Sequence, residues 1–219
     1  MKYISLYMNY IAIKHKYLTN QSNDINEHLN TIANYVKETE SVLALCWQGT
    51  QIYWTLAHGL LNNKSENKKS LFYNNKISFD IEEFTNVTRH LKNISITFTK
   101  EDILQYELPS DIPSVDTLFL DSWHVYGCMK RELEKYAPKI NKYIVMHDTT
   151  IDEWDGETLR CGLDADKQNK ETGIPIYEIN RGVWPAIQEF LNDNPQWVVK
   201  ERFTNNNGLT ILERVSPNL

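Results

Sequence analysis

Thr117-Leu-Phe-Leu-Asp121-Ser-Trp-His124-Val-Tyr126 and Tyr143-Ile-Val-Met146-His147-Asp148-Thr149-Thr150 share one pattern. Each is a short apolar run that stops abruptly at acidic and imidazole side chains. An uninterrupted run of this length suits a strand buried on both faces, as in a parallel sheet. Between the two runs, residues 126–138 place Met129, Leu133 and Tyr136 on one helical face. Strand, helix, strand at this spacing requires a right-handed crossover.

The same alternation extends upstream. Residues 24–38 read as a helix, with Asp24 as N-cap, Glu27 three residues on, and a stripe of Leu29, Ile32, Ala33 and Val36. Ser41 to Cys46 reads as a buried strand, Trp47-Gln48-Gly49-Thr50 as a tight turn, and residues 51–61 as a helix. A polar loop is expected over Asn62 to Lys69, a strand over Lys76 to Asp80, a helix over Ile81 to Leu91 and a strand over Ile94 to Thr99. Downstream, Ile179 to Leu191 reads as a helix broken or started near Pro185. Trp197–Phe203 and Leu209–Val215 flank Asn205-Asn206-Asn207-Gly208, a hairpin signal. The whole predicts an α/β, doubly wound, Rossmann-like, mostly parallel sheet ending in an antiparallel hairpin. It reads as one domain over 1–219, with an N-terminal helical segment over 1–38 and the α/β core over 39–219.

Composition narrows the function classes. The 219 residues are 41% hydrophobic and 24% charged, enough to bury a core. A net charge of -6 argues against a phosphate-backbone binder, so no nucleic-acid partner is expected. No run approaches a membrane span and Met1 to Tyr10 lacks a leader's apolar stretch, so no membrane partner is expected either. Cys46, Cys128 and Cys161 are odd in number without a CxxC pair. A disulfide framework or structural zinc is therefore not expected, and a reducing, cytoplasmic setting is. The Lys64–Lys69 region reads as solvated, Trp184, Phe190 and Trp197 as packing residues, and a homo-oligomer stays open.

Ligands of such sheets sit beyond the carboxyl ends of the strands. That address selects Trp47–Thr50, Asp80, Asp121–His124 and His147-Asp148. Asp80 could accept the two hydroxyls of a ribose or cap the helix that follows. Asp102 could meet an adenine amino group or serve a turn. His124 suits a general base, or a cap or packing role at a helix start. Asp121 and Asp148 offer oxygen ligands for a hard divalent ion such as Mg²⁺. Adjacent strand residues point to opposite faces, so His147 and Asp148 both face the crevice only if the strand has already ended.

The run Asp121-Ser-Trp-His-Val-Tyr-Gly, the later Ile144-Val-Met-His-Asp-Thr-Thr and the tail Gly182-Val-Trp-Pro-Ala-Ile with Asn206-Asn-Gly-Leu-Thr resemble one group of class I S-adenosylmethionine-dependent methyltransferases. This is the family 24-like group with a D-x-x-H-x-Y … H-D-T signature, and the resemblance runs from about Ser22 to Arg214. It implies an O-methyltransferase acting on a small-molecule or glycan acceptor, such as a sugar hydroxyl of a glycan or nucleotide-sugar. It implies S-adenosylmethionine as cofactor and Mg²⁺ or Mn²⁺ as metal, held by Asp121, His147 and Asp148. Cofactor contacts would fall on Cys46, Gln48, Gly49, Thr50, Asp80, Asp102, Ile103 and Asp121. His124 or Asp121 would take the acceptor proton. The group's first strand ends in an acid followed two positions later by glycine. Here Ala44 and Cys46 stand there, with Gly49-Thr50 as a shifted turn. Two rival readings therefore stand beside the enzyme: a binding module that lost the cofactor pocket, and another metal-dependent sugar-processing enzyme on a similar sheet.

Overall fold

The computed structural model describes residues 2–46, 50–65, 67, 69–75, 82–91 and 93–215. Helix α1 (Lys2–Leu18) is followed by a 3₁₀ turn (Asn26–His28) and α2 (Leu29–Val36). Then come β1 (Ser41–Cys46), α3 (Thr50–Leu61), β2 (Lys69–Asn75), α4 (Glu82–Thr88), β3 (Ile94–Thr99), β4 (Val115–Asp121) and α5 (Tyr126–Tyr136). β5 (Ile140–His147) leads to four helices: α6 (Glu157–Arg160), α7 (Ala165–Thr172), α8 (Ile176–Asn180) and α9 (Val183–Asp193). The hairpin of β6 (Trp197–Phe203) and β7 (Leu209–Arg214) closes the chain.

The strands form one seven-stranded sheet in the order β3-β2-β1-β4-β5-β7-β6. β1 to β5 are parallel, and β7 pairs antiparallel with β5 and β6. The predicted fold class is the observed one. The order reverses between β1 and β4, which opens a crevice at their carboxyl ends. One core cluster packs the α1–α3 face, and a second packs the α5 and α9 face. Leu43, Leu45, Leu118 and Leu120 point into the second cluster, while Val42, Ala44, Cys46 and Phe119 point into the first. This two-sided burial explains why the runs show no polar alternation.

Three local expectations change. The polar loop ends earlier, because β2 starts at Lys69. That lysine is buried and its ammonium donates to the carbonyls of Ser65 (2.7 Å) and Asn67 (3.3 Å). The second strand is therefore Lys69–Asn75; the expected strand over Lys76 to Asp80 lies outside the described residues. Asp24 does not cap α2: a 3₁₀ turn intervenes, and the Asn23 side chain accepts from the Ile25 amide at 3.0 Å. The tail helix is broken near Pro185, as expected, into two helices. The break falls at Arg181-Gly182, and Pro185 sits in the first turn of α9, where a proline's missing N–H costs nothing. The stripe Leu29, Ile32, Ala33 and Val36 is buried as expected. Among the described residues no helix is long and apolar enough to cross a membrane.

Candidate functional site

A cleft of about 1010 Å³ lies over the carboxyl ends of the parallel strands. Gln51 after β1, Asp102 after β3, Asp121 and His124 after β4, and Asp148 after β5 line its floor. Glu157 and Arg160 of α6, with Lys167 and Gln168 of α7, line the opposite side. α7 buries none of its residues, so tertiary tethers hold it rather than a core face. The Trp123 indole donates to the Thr158 hydroxyl at 3.1 Å, and that hydroxyl donates to Gln168 at 2.8 Å.

His124 lies at the centre. The chain turns before α5 begins at Tyr126, with the Val125 amide bonded to the Trp123 carbonyl at 2.8 Å. His124 thus precedes the helix and reaches the crevice by a turn. Its Nδ1 stands 3.1 Å from Asp148 Oδ2, 3.6 Å from Asp152 Oδ2 and 3.7 Å from Glu157 Oε2. Its Nε2 stands 3.4 Å from Asp121 Oδ1 and forms no hydrogen bond. Burial alone would lower the imidazole's pKa. The Asp121 carboxylate, then Asp148 and Glu157, outweigh burial and push it up to about 10. Burial likewise opposes ionisation of Asp121, yet His124 and His147 hold its carboxyl well below the usual range.

Asp148 follows β5 directly and adopts a left-handed φ of 58°. The strand has ended, so both His147 and Asp148 turn toward Asp121. His147 Nδ1 lies 3.3 Å from Asp121 Oδ1 and 3.4 Å from Asp148 Oδ1. Its Nε2 donates to the carbonyls of Asp24 at 3.0 Å and Asn206 at 3.3 Å. Both ring nitrogens therefore face acceptors. Among the described residues, the donors able to converge on one cation are Asp121, His124 and Asp148, whose ligand atoms lie within 4.8 Å of one another. His147, the imidazole expected in that set, has its Nε2 tied to main-chain carbonyls and its Nδ1 beside both carboxylates. Asp148 Oδ1 and His124 Nε2 are buried without a hydrogen-bond partner, an arrangement that two carboxylates and an imidazole around a divalent ion would resolve.

The remaining candidates are dispersed. Asp102 lines the cleft, and its Oδ1 also accepts from the Leu104 amide at 2.9 Å, so the ligand and turn readings coexist. Ile103 is buried, and its carbonyl accepts from the Tyr136 hydroxyl. Cys46 ends β1 fully buried in the core, and desolvation raises its thiol's pKa. The backbone of Thr50 opens α3; Gln48, Gly49 and Asp80 lie outside the described residues. Sequence reasoning missed Asp152, Glu157 and Arg160. No strand-end signal marks them, because they reach the cleft from the segment that folds back after β5.

No family model matches the sequence, and no curated protein matches it. Solved structures do. A Corynebacterium glutamicum protein is 13% identical, with a TM-score of 0.60 over 97% of this chain and 91% of that one. TomG, an O-methyltransferase of Streptomyces achromogenes involved in tomaymycin synthesis and solved with S-adenosylmethionine, is 10% identical, with a TM-score of 0.55 over 96% and 90%. The Synechocystis magnesium protoporphyrin IX methyltransferase, solved with S-adenosylhomocysteine, is 14% identical, with a TM-score of 0.50 over 90% and 89%. This is the class I methyltransferase fold. At these identities the likeness is one of architecture, which places the crevice but not its chemistry.

Proposed function

We propose that this chain is an S-adenosylmethionine-dependent O-methyltransferase of the D-x-x-H-x-Y … H-D-T group, acting on a sugar hydroxyl with help from a divalent metal. The observation that carries the proposal is the convergence of Asp121, His124 and Asp148 on the floor of a strand-end cleft in a class I methyltransferase fold. The cofactor supplies a methyl group on a sulfonium centre. What the chain contributes is alignment of donor and acceptor, which can be a large part of such a barrier. Asp102 and Ile103, with Cys46, Gln48, Gly49, Thr50 and Asp80, are the residues proposed to hold the cofactor. Asp121, His124 and Asp148 would hold the metal, which orients a bound hydroxyl and lowers its pKa. His147 braces the two carboxylates in place of binding the ion. Without a metal the surrounding carboxylates keep the His124 ring protonated near neutral pH, so the acceptor's proton would pass to Asp121. The acceptor side, with Asp164, Lys167, Gln168 and Glu171, is rich in hydrogen-bonding groups, as a polyhydroxylated acceptor requires.

The test is methyl transfer from labelled S-adenosylmethionine to a panel of sugars, nucleotide-sugars and non-sugar alcohols, with and without a chelator. Label should enter sugar hydroxyls, fall to background on chelation and return with Mg²⁺ or Mn²⁺. His124→Gln removes a proposed ligand, so it should lower turnover and raise the Mg²⁺ concentration needed to restore activity after chelation. Full activity after exhaustive chelation would make the acidic cluster a proton relay without a metal. Label confined to non-sugar acceptors would overturn the substrate class. Cofactor binding without transfer to any acceptor would favour a binding module.

A further inference from the structure

Asp152 and Arg160 lie outside the set that the fold and the strand-end rule single out. Asp152 is fully buried, which is costly for a carboxylate unless it is paired. Arg160 pairs it through two nitrogens, Nε at 2.6 Å from Oδ1 and Nη2 at 3.0 Å from Oδ2. The backbone of Asp152 is clamped as well: its amide meets the Asp148 carbonyl at 3.3 Å, and its carbonyl accepts from Val183 at 2.9 Å. Gly182 allows that approach, since a Cβ there would come within 2.4 Å of the Asp152 carbonyl oxygen. The carboxylate is therefore fixed, and its Oδ2 lies 3.6 Å from His124 Nδ1. The same short helix that carries Arg160 also grips the His124 backbone. The Glu157 amide donates to the His124 carbonyl at 2.9 Å, and the His124 amide donates to Glu157 Oε2 at 3.4 Å.

The geometry points to Asp152, held by Arg160, as the positioning residue that fixes the plane of the His124 imidazole over the cleft floor. Asp121 stands at the Nε2 end of the ring, and Asp148 and Asp152 stand together at the Nδ1 end. A ring flanked at both ends keeps Nε2 at one place in the cleft. A bidentate arginine is suited to the task because its planar fork fixes both carboxylate oxygens at once.

This inference rests on the methyl-transfer reading of the site, so its first measurement is independent of turnover. In long-range ¹H–¹⁵N spectra of the imidazole rings, His124 is assigned by its loss in His124→Gln. Arg160→Ala should broaden or split the His124 pattern, and Arg160→Lys, which keeps the charge without the planar fork, should do so less. Arg160→Ala leaves the buried Asp152 carboxylate unpaired and should lower the melting temperature, so spectra are recorded well below it. The second measurement is kinetic. Arg160→Ala should lower kcat by about 10²-fold, the scale expected for a misplaced catalytic group, with KM for S-adenosylmethionine unchanged. Arg160→Lys, which keeps the charge but not the fork, should recover part of that loss. Asp152→Asn should match Arg160→Ala; if it does not fold, the two Arg160 variants decide the matter. An unchanged His124 pattern in Arg160→Ala overturns the inference, whatever the enzyme does. A raised acceptor KM at unchanged kcat also overturns it, making Arg160 an acceptor contact. An altered pattern in a protein that transfers no methyl group sustains the positioning role and sinks only the methyl-transfer reading.

Discussion

Glu132 shows how much a single side chain can cost. It sits on the inner face of α5, fully buried, and neither carboxylate oxygen has a hydrogen-bond partner. Desolvation raises its pKa from 4.5 to about 7, against smaller opposing effects from Ser122 and His124. The native state therefore holds this proton more tightly than the unfolded chain does, and its contribution to stability falls as pH rises from about 4.5 to 7. Glu132→Gln removes the titration. Urea unfolding across pH should show the variant gaining on wild type through that window and levelling above it. A pH-independent difference would contradict the assignment. The site residues were legible to different depths for similar local reasons. Asp121 and Asp148 announce themselves by closing apolar runs. The placement of the His147 ring was not legible, because it depends on the φ of 58° at Asp148 and on the Asp24 and Asn206 carbonyls, which distant loops bring to it. Asp152, Glu157 and Arg160 carry no local signal, because only the fold-back after β5 brings them to His124.

Elements buried on both faces were the easiest to read. β1, β4 and β5 are continuous apolar runs, and their boundaries fall within a few residues of expectation. β2 was not foreseen because it opens with Lys69 and Ser70, and a polar start reads as loop. The lysine is accommodated only because two carbonyls from the preceding turn receive its ammonium. Where two helices meet, the sequence gives no warning of how close they come. Gly59 of α3 faces α2, and a Cβ there would lie 2.7 Å from the Ala33 carbonyl oxygen and 2.8 Å from the Val36 side chain. Alanine normally gains up to about 1 kcal/mol over glycine in a helix. Here the clash forces the helices apart, and overpacking costs about 1–3 kcal/mol. Gly59→Ala should therefore lower the melting temperature; a rise would show that α2 shifts freely and that the close contact is not needed.

At the scale of the molecule, one sheet with a reversal between β1 and β4 gathers residues from the loops after four strands into one cleft. The segment after β5 folds back over it, and the β6–β7 turn reaches its edge through Asn207. This arrangement accounts for the acidic cluster, for the burial of His124 and for the likeness to structures solved with S-adenosylmethionine or its product. It leaves one point to test: Ala44 and Cys46 stand where the group that the sequence resembles carries an acid and a glycine, and Cys46 is buried in the core. Calorimetric titration of the purified chain with S-adenosylmethionine tests that point most directly. The account predicts a saturable one-to-one isotherm with a Kd in roughly the micromolar range, competed by S-adenosylhomocysteine and weakened by Asp102→Ala. No heat of binding at about millimolar cofactor, by a protein that melts cooperatively, would contradict it.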